Sequence, residues 1–252
     1  MSFDFQKSPL QFFPKKGWAL SQKKPGGELL NAWVCLPGSL AIEHAVGADA
    51  SALLGKAEKA GLPAVELPPE WIALPTGMDL QVHLRHPGQP QKETLEGGLE
   101  SALYGGFDTV VTMPNTNPFL DSREALEKAI ADAAKITARY PLRVAFTASA
   151  TMGMQGQNVA PIAELAAAGA VAITDDGWGV KSAEAQEQVF AACSEANILF
   201  QQHAEMPGHK GVATRSAFQR SHQLPEYPRS AESEMVKRDR SEEHTSELQS
   251  RL

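Results

Sequence analysis

The chain has 252 residues, 42% of them hydrophobic, enough for a large core in one α/β domain or two smaller ones. A net charge of −7 and a pI near 5.5, with no Lys/Arg cluster interleaved with aromatics, argue against a nucleic-acid surface. The two cysteines, Cys35 and Cys193, fit neither a disulfide framework nor a zinc finger. They stand far apart and outside any C-x-x-C spacing.

In chain order, the opening stretch MSFDFQKSPLQFFPKKGW has neither a long apolar run nor a small-residue cleavage site. No later stretch approaches the ~20 apolar residues of a membrane span, so a cytoplasmic protein without membrane contact is expected. Residues 1–74 are rich in Pro and Gly, with short apolar runs at LLNAWVCL and AVELP. They suit a few β-strands of a small β-rich region, with SALLGKAEKAG as a connecting stretch able to form one helix turn or more. His44, alone in AIEHAVG, is expected to be structural or exposed.

After Pro75 strand and helix patterns alternate. Strands are expected at 79–84, 107–113, 142–149, 170–174 and 198–202, with helices at 93–104, 122–140, 161–168 and 181–196 between them. Gly105-Gly106 closes the first helix, Asp121 is available to cap the second, Gly169 closes the third and Ser182 caps the fourth. A further helix is expected over 230–238. Alternation at this spacing implies parallel strands with right-handed crossovers, in either an open doubly wound sheet or a (β/α)8 barrel.

The polar residues favour the barrel. His83, Asn115, Asp175, Asp176 and His203 all fall at or just after the C-terminal end of a strand, where barrel sites are built. No Gly-rich fingerprint follows a strand, as a nucleotide-binding open sheet would require. The expected fold is therefore an α/β, incomplete (β/α)8 TIM barrel of about five βα units over residues 75–239, preceded by the small β-rich region.

His83 and His203 with the Asp175-Asp176 pair make a metal-site constellation. Imidazole and carboxylate suit zinc and related ions, and water bound to such an ion loses a proton near neutral pH and becomes a nucleophile for an amide or ester carbonyl. Each residue also has a plainer use. His83 would serve as a satisfied interior histidine, Asp175-Asp176-Gly177 as a turn, and His203-Ala-Glu as a helix cap; their joint placement at strand ends favours the metal.

At these residues the chain resembles a dihydroorotase of the amidohydrolase superfamily. HLRHPGQPQKETLEGGLESALYGGFDTVVTMPNTNP is similar to the family's strand-one and strand-two signatures, ITDDG to its strand-four segment, QQHAE to strand five and QLPEYPRSAESE to the segment beyond. The resemblance implies His83, Asp176 and His203 as metal ligands for one or two zinc ions, with Asp176 bridging. It implies Arg85 and Asn115 as holders of a substrate carboxylate, which agrees with the paired donors of a guanidinium and the directed donor of an amide. Hydantoinases and allantoinases are nearest in kind, but those with two metals commonly bridge them with a modified lysine, and ITDDG has none. The implied reaction is the reversible interconversion of dihydroorotate and N-carbamoyl-L-aspartate in pyrimidine synthesis. A small-molecule substrate is implied, and a homo-oligomer or a complex with another pyrimidine-pathway enzyme would be in keeping.

Three departures qualify the resemblance. Gln81 stands where the family has the first histidine of an H-x-H pair, and an amide is a poorer zinc ligand than imidazole. His86 stands where glutamate is usual. RSEEHTSELQS, within residues 240–252, resembles the translation of a sequencing-library adapter, so this tail is expected to be non-native. The family's strand-six histidine and strand-eight acid/base aspartate would then lie beyond Asp239. No catalytic acid/base is assigned here, and the chain itself is expected to be inactive. Gln81 also raises the alternative of a non-catalytic dihydroorotase-like partner of another pyrimidine enzyme.

Overall fold

The computed structural model describes residues 18–36, 42–68, 70, 76–138, 142–206, 208–209 and 211–250; the opening stretch considered above for a leader lies outside them. The described residues fall into two compact units, 18–76 with 137–138 and 77–136 with 142–250.

The first unit is a four-stranded sheet and one helix. Its elements are β1 (Trp18–Lys23), β2 (Leu29–Cys35), β3 (Ile42–Val46), α1 (Gly47–Lys59) and β4 (Ala64–Leu67). The strand order is β3-β2-β1-β4, antiparallel except for the β1–β4 pair. Alternation in β2 buries Ala32 and Val34, which cluster with Ala19 of β1 and with Ala50, Leu53 and Ala57 of α1. The three α1 positions lie one and two turns apart on a single stripe. His44, expected to be structural or exposed, is exposed and lies against its sheet neighbours. Its ring stacks on Trp33 at 5.1 Å, and its Nε2 lies 3.3 Å from Asn31 Oδ1.

The second unit alternates strand and helix: β5 (Gly77–Val82), α2 (Leu95–Tyr104), β6 (Phe107–Thr112), α3 (Arg123–Thr137), β7 (Arg143–Ala148), α4 (Ile162–Ala167), β8 (Ala170–Ile173), α5 (Ala183–Glu195) and β9 (Leu199–Phe200). Two further helices follow, α6 (Ala217–Ser221) and α7 (Ser230–Ser250). The five strands run parallel in the order β5-β6-β7-β8-β9. This is the expected α/β architecture, an incomplete (β/α)8 barrel. Val110, Phe146, Ala148 and Ile173 of the sheet are buried, as are Leu99, Leu126, Leu165 and Val189 of the helices. On the outer strands Met78, Leu80 and Leu199 stay exposed.

Local chemistry sets most boundaries. Thr94 Oγ1 accepts from Gly97 N at 3.2 Å to start α2, and Ser182 Oγ accepts from Ala185 N at 3.1 Å to start α5, caps typically worth about 1 kcal/mol each. At α3 the cap is Ser122, whose Oγ accepts from Ala125 N. The expected cap, Asp121, instead accepts from Gly153 N at 2.8 Å and ties two loops together. The first strand of this unit lies two residues earlier than expected, and the fifth is shorter. β5 stops at Val82, and Arg85 has a φ of +55°, so the alternation that would align Arg85 with Gln81 and His83 does not reach it. β9 keeps two residues, although Gln201 N still donates to Ile173 O at 2.8 Å.

α7 is anchored near its start. Ala231 and Met235 are fully buried, Gln202 Nε2 donates to Asp239 Oδ2 at 2.5 Å and Arg238 Nη1 donates to Val180 O at 3.1 Å. The helix continues beyond the expected 230–238 and reaches Ser250 without a break.

Candidate metal and substrate site

Asp176 is the hub of the site. It lies three residues beyond the end of β8, is almost fully buried, and spreads its two oxygens between residues carried by three other strands. Oδ2 lies 3.3 Å from His83 Nε2 and accepts from Asn115 Nδ2 at 3.3 Å. Oδ1 lies 3.3 Å from His203 Nδ1 and accepts from Gln81 Nε2 at 2.7 Å. Behind the rings, His83 Nδ1 lies 3.0 Å from Asn115 Oδ1, and His203 Nε2 lies 3.3 Å from Glu205 Oε2.

The neighbouring aspartate does something else. Asp175 turns away and accepts from Ala150 N at 2.9 Å, from Thr151 N at 3.1 Å and from the Thr151 hydroxyl. Successive residues leaving a strand face opposite sides, so the pair divides into one structural and one site carboxylate.

Burial pushes the Asp175 carboxyl up, against these hydrogen bonds. For Asp176 burial acts in the same upward direction, but the His203 hydrogen bond, the charges of His83 and His203, and the Gln81 amide outweigh it and hold the carboxyl below its ordinary value. The partner agrees: the hydrogen bond to Asp176 raises His203, burial opposes, and Glu205 adds to the rise.

A cavity of about 490 Å³ opens beside this cluster, lined by Gln81, Thr174, Asp176, Gln202, His203, Glu205, Tyr227 and Glu232 among others. One wall is the 211–214 loop, which crosses the 225–227 segment so closely that a Cβ on Gly211 would lie 2.4 Å from Tyr227 Cα. Neither Arg85 nor Asn115 lines this cavity. Of the five residues singled out by sequence, four meet through Asp176, while Arg85 stands in the loop after β5 and no hydrogen bond or ion pair joins its guanidinium to another described residue. Glu205 was legible only as a helix cap. Its His-x-Glu spacing is the signal that places it behind His203. Tyr227 and Glu232 lie within QLPEYPRSAESE, the segment quoted for the resemblance, but neither was singled out there.

Among the described residues no three His, Cys, Asp or Glu side chains form a ready-made ion cage. Geometry explains this: the two imidazoles address different oxygens of Asp176, so each position has two such donors, and the third neighbour at Asp176 Oδ1 is an amide. The donors present nonetheless fit a metal's chemistry. A tetrahedral ion with bonds of about 2.0–2.1 Å separates adjacent ligands by roughly 3.3 Å, the spacing seen on both sides of Asp176.

Parallel βα units that deliver imidazole and carboxylate to the C-terminal ends of their strands define a barrel of the amidohydrolase type. A family model described as "Dihydro-orotase-like" matches residues 71–237, and the chain belongs to that family. The chain is 36% identical over 171 residues to a dihydroorotase of Caldanaerobacter subterraneus subsp. tengcongensis and 38% identical over 170 residues to one of Elusimicrobium minutum. Each match covers 66% of this chain and 38% of the relative, so the chain spans well under half the length of these proteins. Among solved structures it resembles an L-hydantoinase (dihydropyrimidinase) from Arthrobacter aurescens, with a TM-score of 0.63 and 17% identity over 90% of this chain and 51% of the other. That likeness concerns the fold.

Proposed function

We propose that the protein to which this chain belongs is a dihydroorotase, interconverting dihydroorotate and N-carbamoyl-L-aspartate, and that the chain carries the first portion of its site. The observation that carries this is Asp176, with one oxygen toward His83 and the other toward His203. His83, Asp176 and His203 would hold divalent ions, with zinc the expected metal, and Arg85 with Asn115 would receive the substrate carboxylate. Bound there, the metal supplies Lewis acidity and water acidified toward neutral pH. Among the described residues no helix is long and apolar enough to cross a membrane, in keeping with a cytoplasmic enzyme of a small-molecule substrate. Residues 240–252, which resemble an adapter translation, are taken as non-native.

The chain's own residues prepare the site. Asn115 Oδ1 receives His83 Nδ1–H and leaves Nε2 turned toward Asp176 Oδ2. The Asn115 amide thus has a positioning task beside its proposed contact with substrate. A dihydroorotase is favoured over a hydantoinase by the curated relatives, which carry that name at 36% and 38% identity.

One observation favours a second reading. Gln81 Nε2 donates to Asp176 Oδ1 at 2.7 Å, occupying with a hydrogen bond the side on which another metal ligand is expected. This is the arrangement of a dihydroorotase-like partner that has given up catalysis. A chimera decides between the two: residues 1–239 joined in frame to the remaining βα units of the Caldanaerobacter dihydroorotase, assayed with dihydroorotate and zinc. Turnover that is lost in His83→Ala supports the enzyme; a folded chimera without turnover supports the partner. Turnover of hydantoin in place of dihydroorotate would overturn the proposed substrate.

A further inference from the structure

We infer that Glu205 is a positioning residue for His203: it holds the ring proton on Nε2 and so keeps the Nδ1 lone pair toward Asp176 and toward an ion bound there. The inference rests on the proposed metal site and names a residue outside the ligand set. His203 stands between two carboxylates, Asp176 Oδ1 at 3.3 Å from Nδ1 and Glu205 Oε2 at 3.3 Å from Nε2. A neutral imidazole has one N–H and one lone pair, so only one carboxylate can receive its proton. If Asp176 takes it, Nδ1 cannot ligate. If Glu205 takes it, Nδ1 is bare and the ring is a competent ligand, as in the carboxylate–histidine–metal arrangement.

Two further observations support this assignment. Glu205 is held in place by its backbone: its N–H donates to His203 O at 2.9 Å and lies 3.1 Å from Met235 Sδ, and the next N–H, of Met206, donates to Ala231 O at 3.1 Å. Met235 and Ala231 are fully buried in α7, so the turn that carries the carboxylate has a rigid backing. The same device recurs at the other ring, where Asn115 Oδ1 stands 3.0 Å behind His83 Nδ1 while Nε2 faces Asp176. Each imidazole is thus backed by an oxygen on the side away from the shared carboxylate.

The test uses the whole chain labelled with ¹⁵N-histidine, with His203 assigned by its loss in His203→Gln. At a pH above the ring's titration, long-range proton–nitrogen correlation reads the tautomer. The wild type and Glu205→Gln, which keeps a neutral acceptor, are expected to carry the proton on Nε2. Glu205→Ala is expected to carry it on Nδ1, donated to Asp176. Zinc affinity by competition with a chelating dye should fall roughly 10- to 100-fold in Glu205→Ala and less in Glu205→Gln. An unchanged tautomer in Glu205→Ala overturns the inference, and so does unchanged affinity in a chain that binds zinc. A wild-type chain that binds no zinc, yet whose His203 switches tautomer, would remove the metal proposal and leave Glu205 as the orienter of the ring.

Discussion

Gln81 donates its side-chain amide to Asp176 Oδ1 across 2.7 Å, the shortest of the polar contacts around that carboxylate. The amide does for Asp176 part of what a cation would do, lowering the cost of burying its charge. It adds no lone pair toward that oxygen, because nitrogen and not oxygen faces it. Replacing Gln81 by His substitutes a ring nitrogen for this donor. The expected outcome for Gln81→His is a higher zinc content after dialysis against buffered metal, read by elemental analysis, at unchanged secondary structure. Equal content in the two proteins would show that the β5 position does not limit binding.

The two adjacent aspartates should separate cleanly in a stability experiment. Asp175 satisfies two buried backbone N–H groups and the Thr151 hydroxyl, and Asp175→Ala leaves those donors without a partner. A loss of about 3 kcal/mol in urea unfolding is expected, within the range for orphaned buried donors. Asp176 meets side chains that are themselves a third exposed, such as His83 and His203, and water can take over part of its role. Asp176→Ala should therefore cost only about 1 kcal/mol while abolishing zinc binding. Equal losses for the two variants would contradict this division of labour.

Both its legible and its illegible parts follow from the range of the forces involved. Strand and helix alternation, the Ser182 cap and the Gly105-Gly106 stop are local signals, and each was found where the sequence placed it, while the Thr94 cap was not singled out. His83, Asn115, Asp176 and His203 were legible because strand ends of a parallel sheet converge. Three things were not legible because they depend on partners distant in sequence: Asp121 leaves its own helix for Gly153 N, β9 shrinks to two residues, and Asp175 is claimed by Thr151. The hold of α7 on Val180 and Gln202 belongs to the same class.

Cysteine reactivity offers an independent check on the packing of α5. Cys193 is 5% exposed, and burial pushes its thiol up to about 12, so almost no thiolate exists at pH 8. Cys35, in β2, is partly exposed. In the native chain a thiol-reactive disulfide reagent should modify Cys35 and spare Cys193, with both labelled after unfolding in urea. Rapid native labelling of Cys193, located by peptide mass, would mean that α5 does not pack as described.

Gly211 is the strictest steric requirement in the wall of the cavity. A methyl group there would meet Tyr227 Cα at 2.4 Å and Glu226 O at 2.5 Å, both backbone atoms that cannot swing aside. Gly211→Ala must therefore separate the 211–214 loop from the 225–227 segment and break the bond from Tyr227 N to Ala213 O, now 2.8 Å. Overpacking of this kind typically costs about 1–3 kcal/mol. The loss should fall on the wall and leave the sheet intact: hydrogen exchange should accelerate at Tyr227 and Val212 while amides of β6 and β7 keep their protection. An Ala variant with native exchange throughout would show that the crossing has room to spare, and the cavity beside His203 would then owe its shape to something other than this contact.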